Sequence, residues 1–295
     1  MTAASRIAAA SIGVGALVLG LKTAAWWVTG SVALYSDALE STVNVAGSAL
    51  ALLAIRFAER PADANHPYGH DKAEFFAAVI EGALIIVAAL SILEHAWEAL
   101  RAPAPLAQPR LGVLLNVVAT VLNGLWAWVL LGRGRRLRSA ALRADGRHLV
   151  SDVVTSVAIL AGVGLAVVTG RHEFDPATAA LAAVYVLWSG LRVLASSIGG
   201  LMDAAPSDDV VGRIRQLVSE TAAGAIEAHD LRMRSAGRLT FLEFHLVVPG
   251  AMSVADAHVI CDRVEAALKS DMQGLVITIH VEPEGKAKHH GVLVL

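Results

Sequence analysis

Six apolar stretches, each about 20 residues or longer, constrain the fold of this chain more than any other feature. They cover roughly residues 6–29, 32–58, 74–99, 110–132, 145–169 and 176–201. Because an α-helix needs about 20 apolar residues to cross roughly 30 Å of hydrocarbon, each stretch is long enough to be a transmembrane helix. The hydrophobic content of 56% and the mean hydropathy of +0.59 are also typical of a membrane protein. We therefore expect an all-α membrane domain with six helices.

The character of the sequence changes after Pro206, where charged residues become frequent and apolar runs shorten to strand length. The predicted elements are a helix capped by Ser207, strands over 225–233 and 239–248, a helix capped by Ser253, and a strand over 275–281. This order, α-β-β-α-β, predicts a compact two-layer α+β domain.

The expected domain organisation has three parts. They are a transmembrane domain over 1–205, a soluble domain over 206–284 and a short flexible tail over 285–295. His289 and His290 in the tail are metal-capable, but a solvated chain end is the simpler interpretation.

The distribution of Lys and Arg predicts the orientation, because cytoplasmic connections carry an excess of these residues. The basic connections are the fourth-to-fifth, with Arg133, Arg135, Arg136, Arg138, Arg143 and Arg147, and the second-to-third, with Arg56, Arg60 and Lys72. The opposite side offers only Arg101, Arg110 and Arg171. We therefore expect an integral protein of the bacterial inner membrane with both termini and the soluble domain in the cytoplasm.

Charge and motif content argue against other classes of protein. The net charge of -2 gives no basis for a nucleic-acid partner. The single cysteine, Cys261, rules out an intrachain disulfide and is expected to be a small buried thiol. No HExxH motif occurs, so a membrane metalloprotease is not indicated and we expect no enzymatic activity.

Two pairs of polar residues lie in the apolar stretches with helical spacing. Glu40 and Asn44 are four residues apart in the second stretch, and His148 and Asp152 are four apart in the fifth. Residues at this spacing lie on one face of a helix. Because ionisable groups in a bilayer are costly and usually mark an ion path, we expect these four side chains to form one metal site. Two carboxylates, an amide oxygen and an imidazole suit a dication such as Zn²⁺.

Three further ionisable residues lie within the apolar stretches. Asp37, three residues before Glu40, is expected to support that residue. Glu81 either adds a ligand, carries a proton or makes a polar contact between helices. Lys22 is expected to reach the interface or to pair with an acid, and we assign it no role in transport.

Two other clusters are expected outside the membrane. Asp63, His66 and His70 fall within eight residues around a Pro-Tyr-Gly turn, so this loop can wrap one ion. In the soluble domain, histidines lie in each predicted strand and on the second helix, and one acid shares the face of the last strand. This second set comprises His229, His245, His258, His280 and Glu282. We expect the soluble domain to bind one or two regulatory metal ions.

These residues resemble motifs of the cation diffusion facilitator family of divalent-metal/proton antiporters. The resemblance covers nearly the whole chain. It is carried by the loop motif over 65–74, the HxxxD signature over 144–152, Leu201-Met202-Asp203 at the end of the sixth stretch, and the sequences over 229–232 and 279–282. It implies a homodimer with a six-helix membrane domain and a metallochaperone-like cytoplasmic domain. It also implies alternating access, in which protons and metal compete for the membrane site.

The resemblance implies roles for individual residues as well. By position, Glu40, Asn44, His148 and Asp152 match the four transport ligands, although the family usually has Asp or His and then Asp in the second helix. The loop and soluble-domain residues named above match two further metal sites. Lys72 and Asp203 match an interlock near the dimer interface.

The sequence leaves alternatives open for both the transported metal and the activity. Zn²⁺ is favoured, with Fe²⁺, Cd²⁺, Co²⁺, Ni²⁺ and Mn²⁺ left open. Because Asn44 carries no charge, the chain is alternatively a metal-sensing membrane scaffold or an inactive partner in a heterodimer. A channel is disfavoured, since coordination by four ligands slows release of the ion.

Overall fold

The computed structural model describes residues 3–136, 140–237, 239–288 and 291–293. It divides into two compact units, one of Met1–Leu53 with Ala77–Ala195 and one of Ala54–Phe76 with Ser196–Leu295. Six long helices come first: α1 (Ala3–Thr29), α2 (Val32–Ala58), α3 (Ala73–Arg101), α4 (Pro109–Arg136), α5 (Ala140–Thr169) and α6 (Phe174–Leu201). All six are long and apolar enough to cross a membrane, which confirms the predicted membrane domain.

The predicted basic connection between the fourth and fifth stretches is shorter than expected. Arg133, Arg135 and Arg136 extend α4, and Arg143 and Arg147 belong to α5. Arg138 lies outside the described residues. The helices continue because the segment contains no proline and is rich in Ala, Leu and Arg, which all favour helix.

A tight turn separates α1 from α2 in the first unit. Gly30 adopts a φ of +69° between α1 and α2, a conformation that glycine reaches without a steric penalty. The start of α2 is capped from α6, because the Asp175 carboxylate accepts hydrogen bonds from the Ser31 hydroxyl and, at 2.8 Å, from the backbone N–H of Val32. This contact fixes the amino-terminal end of the helix that carries Glu40 and Asn44.

Small residues allow the helices of the first unit to approach closely. Ala25, Ala33, Ala96, Ala179 and Ala183 lie in its buried core with Leu34, Ile92, Ile159 and Val163. A Cβ atom built on Gly162 of α5 would overlap the side chain of Thr178 on α6. Close approach through small residues is typical of helix packing in membranes, where van der Waals contact replaces the hydrophobic effect.

The carboxy-terminal domain is two-layered. Its elements are α7 (Asp208–Thr221), β1 (Glu227–Ala236), β2 (Leu239–Val248), α8 (Val254–Asp271), β3 (Leu275–Pro283), a 3₁₀ helix (Glu284–Lys286) and β4 (Val292–Leu293). The sheet order is β3-β2-β1-β4. The pair β1–β2 is antiparallel, and β2–β3 is parallel. Both helices pack on one face of the sheet around Phe244, Leu246, Ile214 and Val264, which confirms the predicted order α-β-β-α-β.

Three details of this domain differ from prediction. Ser207 makes no side-chain capping hydrogen bond, whereas Ser253 accepts one from the Asp256 N–H as expected. The strand β1 continues to Ala236, because Arg234 and Ser235 pair with Phe241 and Thr240 across the hairpin.

The third difference concerns the segment expected to be a flexible tail. It contains the 3₁₀ helix and β4, which adds a fourth strand by pairing antiparallel with β1. Exposed backbone groups on the β1 edge provide the hydrogen-bonding partners for this short strand. His289 and His290 lie outside the described residues.

Candidate metal centres

The predicted intramembrane site lies where α2 and α5 bring their polar pairs together. The Asn44 amide Nδ2 donates a hydrogen bond of 3.0 Å to Asp152 Oδ2. His148 Nε2 lies 3.9 Å from Asp152 Oδ1. Asp152 is buried, whereas the His148 side chain is 52% exposed. Asn44 therefore holds Asp152 through its N–H₂ group and keeps its carbonyl oxygen available as a ligand.

Glu40 lies half-buried one turn before Asn44, with its side chain in hydrogen-bonding contact with Thr155 of α5. In the described residues, the ligand atoms of Glu40, His148 and Asp152 are not all within 4.8 Å of one another, unlike those of two groups outside the membrane helices, Asp63 with His66 and His70, and His229 with Asp230 and His245. The contacts of Asn44 with Asp152 and of Glu40 with Thr155 thus join α2 to α5.

Neither of the two possible extra acids joins this set directly. Asp37 instead forms a buried ion pair with Lys22, whose Nζ is 2.7 Å from Asp37 Oδ1. Glu81 of α3 packs against Gly47 of α2, about one turn beyond Asn44. The contact is close, because a Cβ atom added to Gly47 would lie only 2.7 Å from Glu81 Oε1. Glu81 thus borders the site from the third helix.

The loop cluster is brought together as predicted. Asp63 Oδ1 lies 3.2 Å from His66 Nδ1, and Asp63 Oδ2 lies 3.4 Å from His70 Nε2. Asp63 also accepts hydrogen bonds from the backbone N–H groups of His66 and Asn65, and these hold the pKa of its carboxyl below the usual range. His70 is buried against the ring of Phe57, whereas Asp63 and His66 are exposed. An ionised carboxylate beside two imidazoles suits a dication.

The cluster in the carboxy-terminal domain is built by strand register. His245 pairs with His229 across β1–β2 and with His280 across β2–β3, so three imidazoles lie in one row. Glu282 lies among them, with its carboxylate oxygens 3.3 Å from His229 Nε2, 3.3 Å from His245 Nδ1 and 3.7 Å from His280 Nε2. His258 is placed elsewhere, on the exposed face of α8 with its Nε2 3.7 Å from Asp262. The cluster within one chain is therefore three histidines and Glu282.

A metal ion fits the chemistry of this cluster. His229 is 2% exposed, and neither of its ring nitrogens has a hydrogen-bond partner among the described residues. Buried polar atoms without partners are rare in folded proteins. A dication held by His229, His245, His280 and Glu282 would occupy one ring nitrogen of His229, while the other nitrogen faces the Glu227 carboxylate, 3.3 Å from Nδ1.

Two acids of this cluster were missed from the sequence. Glu227 is 1% exposed, and its Oε1 lies 3.3 Å from His229 Nδ1. It is two residues before His229, and this period-2 spacing was the signal that could have identified it. Asp230 has a ligand atom within 4.8 Å of those of His229 and His245, because the strand bulges there and Asp230 adopts a φ of 52°. No pattern in the sequence predicts that bulge.

Lys72 and Asp203, the two residues that match an interlock in the family, form an ion pair in the second unit. Lys72 Nζ lies 2.8 Å from Asp203 Oδ1, and Arg234 Nη1 lies 3.4 Å from the same oxygen. The hydrogen bond from Lys72 holds the pKa of Asp203 below its usual range, and the charge of Arg234 adds to this effect. Arg234 also stacks over Phe241, with 4.3 Å between its guanidinium carbon and the ring centroid. These contacts tie the end of α6 and the loop before α3 to the β1–β2 hairpin.

Comparison with known proteins identifies the family to which the chain belongs. Residues 8–202 match the cation efflux transmembrane domain, and residues 206–284 match the cytoplasmic domain of cation efflux proteins. An uncharacterized transporter of Synechocystis sp. is 43% identical over 273 residues, covering 92% of this chain and 88% of the relative. The cation-efflux pump FieF of Escherichia coli is 35% identical over 283 residues, covering 95% and 92%.

A solved structure also matches in part. The metal-bound carboxy-terminal domain of the CzcD transporter from Thermotoga maritima is 28% identical, covers 27% of this chain and 93% of that chain, and has a TM-score of 0.26. The two domain matches together span almost the whole sequence, and the relatives align over nearly their full lengths. The chain therefore belongs to the cation diffusion facilitator family of cation efflux proteins.

Proposed function

We propose that this protein exports divalent transition-metal cations, chiefly Zn²⁺, from the cytoplasm in exchange for protons, by alternating access in a homodimer. Support comes from its membership of a cation efflux family and from one observation in the membrane unit. This observation is the contact of Asn44 on α2 with Asp152 on α5, next to His148 and Glu40. Movement of α2 relative to α5 would then open and close the metal site.

The charge of the site suits a dication. Glu40 and Asp152 together supply two negative charges, so the loaded site is close to neutral, which reduces the cost of carrying an ion through hydrocarbon. The mixture of one imidazole nitrogen with carboxylate and amide oxygens suits Zn²⁺, which accepts nitrogen and oxygen ligands.

Exchange with protons follows from competition for the same side chains. Metal ligands must be deprotonated, so loading from the cytoplasm releases protons from His148 and the carboxylates. After the ion leaves on the outer side, protons bind these groups and return inward down their gradient. An imidazole is suited to this cycle, because its ordinary pKa of about 6.5 lies within the physiological range.

The cytoplasmic domain is proposed to regulate transport. Metal bound by its row of three histidines and Glu282 would draw the two copies of the domain together, and His258 on the exposed face of α8 would serve the same dimer site. A ligand that binds one arrangement better shifts the population toward it. Cytoplasmic metal would thereby favour one state of the transporter.

The central test uses the purified protein in proteoliposomes with an imposed pH gradient and a panel of metal ions. We expect metal-dependent proton movement, with Zn²⁺ the preferred ion. Asp152→Ala should abolish it, while Glu94→Ala, which removes an exposed acid of α3, should leave it intact. Equal transport by the folded Asp152→Ala variant and the unmodified protein would contradict the site.

A metal-sensing scaffold is the second candidate. It is favoured because ligand atoms are grouped more tightly in two places outside the membrane helices than in the membrane site. These groups are Asp63 with His66 and His70, and His229 with Asp230 and His245. The same vesicles separate the two functions, because a scaffold binds metal in its cytoplasmic domain without moving metal or protons across the bilayer.

A further inference from the structure

A buried lysine lies close to the proposed transport site without belonging to it. Lys22 lies within the apolar part of α1 and is 1% exposed, and its partner Asp37 on α2 is fully buried. The two groups are 2.7 Å apart. A charge at this depth is costly, and removing one partner of a buried pair leaves the other uncompensated. The pair is therefore far more constrained than a surface ion pair.

Polar groups from two further helices complete the surroundings of this pair. Lys22 Nζ donates a hydrogen bond of 2.9 Å to Ser156 Oγ on α5, and Ser156 Oγ donates one of 2.8 Å to Asp37 Oδ1. Asn116 Nδ2 on α4 donates a bond of 2.6 Å to Asp37 Oδ2. Both carboxylate oxygens of Asp37 are thus occupied by donors from three helices.

The position of these groups relates them to the metal site. Asp37 is three residues before Glu40 on α2, and Ser156 is four residues after Asp152 on α5, so both lie one helical turn from a proposed ligand and on the same helix faces. Electrostatic interactions connect the charges of Lys22 and Asp37 with the carboxyl groups of Glu40 and Asp152. His148 lies one helical turn before Asp152 on α5 and also interacts with it. Lys22 and Asp37 are buried, as is the proposed ligand Asp152.

We propose that Lys22 is a specificity-determining residue of the transport site, because it holds Asp37 out of the ligand set and limits the site to two negative charges. This inference rests on the proposed transport function. With Lys22 and Asp37 neutralising each other, Glu40 and Asp152 alone balance the cargo, and the site matches a dication. The neutral Asn44 fits this count, since an acid there would add a third negative charge.

The proposal predicts opposite effects when the two partners are changed separately. Lys22→Met leaves Asp37 as a third negative charge beside the ion, so the KM for metal should fall, and slower release should lower the maximal rate. Asp37→Asn leaves Lys22 as a positive charge beside the ion, so the KM should rise. Because charges about one helical turn apart interact strongly in a protein interior, we expect the KM to change by about tenfold in each direction.

The double variant Lys22→Met with Asp37→Asn provides the matched control. It removes both charges together and keeps a polar side chain that Asn116 and Ser156 can contact, so its KM should return to within about threefold of the unmodified protein. A purely structural role for the pair would instead move the KM of both single variants in the same direction, without recovery in the double variant.

The experiment measures initial rates of Zn²⁺ uptake into proteoliposomes over a range of metal concentrations. Size-exclusion chromatography and thermal unfolding report whether each variant is folded. Asp37→Asn can fail to fold because it leaves Lys22 unpaired. The KM of Lys22→Met, compared with that of the double variant, then tests the proposal by itself. An unchanged or raised KM in folded Lys22→Met overturns the proposal. Absence of uptake by the unmodified protein would instead refute the proposed function itself.

Discussion

Replacing Asn44 with aspartate tests the proposed metal site most directly. The amide N–H₂ of Asn44 donates a hydrogen bond of 3.0 Å to Asp152 Oδ2. In Asn44→Asp this donor becomes a carboxylate oxygen, so an attraction is replaced by a repulsion between two negative charges. At about 3 Å and an effective dielectric constant of about 20, this repulsion is about 5 kcal/mol.

Such a repulsion is relieved either by a proton shared between the two carboxylates or by a dication. Metal-free Asn44→Asp should therefore carry one more proton than the unmodified protein at neutral pH, and each loading event should release one more. The third carboxylate should also bind the ion more tightly. Since release becomes slower, the maximal transport rate should fall as the apparent affinity rises.

The assay records metal uptake and proton movement in the same proteoliposomes, using one fluorescent indicator for each. The control is the double variant Glu40→Gln with Asn44→Asp, which restores the number of carboxylates to two and should return the proton-to-metal ratio to its original value. Equal ratio, affinity and rate in Asn44→Asp and the unmodified protein would show that Asn44 does not contact the ion.

Three further predictions concern the part of the chain outside the membrane helices. The isolated domain over 206–295 should dimerise and bind divalent metal, and His245→Ala with His280→Ala should lower that affinity in calorimetry; no binding by the parent domain would refute a regulatory role. Glu227→Gln should weaken metal binding by about tenfold to a hundredfold, since the carboxylate beside His229 orients that imidazole; unchanged affinity would make Glu227 a purely structural residue. The contact of Lys72 with Asp203 lowers the pKa of the Asp203 carboxyl in the folded protein. This ion pair therefore stabilises the fold fully above the ordinary Asp pKa of about 3.9, and the stabilisation is lost as the pH falls through the lower pKa of the folded state. Carboxyl NMR titration of the full chain should show the pKa of Asp203 rising in Lys72→Met, and no rise would mean that Lys72 does not stabilise the ionised acid.

The membrane helices could be predicted because their signal is local. A run of about 20 apolar residues leaves the backbone no alternative to helix in a bilayer, so the helices follow from composition alone. The polar pairs at i and i+4 are equally local, and His148 lies near Asp152 as their spacing indicated. The contact of Asn44 with Asp152 depends instead on how α2 packs against α5. The grouping of His229, His245 and His280 could be predicted because each of the three predicted strands carries one histidine.

Features that depend on packing between distant segments could not be predicted. The sequence requires a partner for Lys22 but offers Asp37, Glu40, Glu81 and Asp152 as candidates. The choice of Asp37 depends on how α1 packs beside α2 and α5. The added strand β4 was missed for a related reason, since two residues carry no periodicity and pair only because the edge of β1 is open.

The short strand β4 matters for anyone who expresses the cytoplasmic domain by itself. A chain stopped at residue 284, where the family match ends, lacks the strand that pairs with Glu227 and Ala228. Gly291 lies directly over the buried acid, since a Cβ at this position would be 2.7 Å from Glu227 Oε1. Truncation would expose this carboxylate to water and remove Lys288, which pairs with Asp230. Metal affinities measured on such a fragment would therefore describe a more hydrated site than the one in the complete chain, and a polyhistidine tag is better placed at the amino terminus.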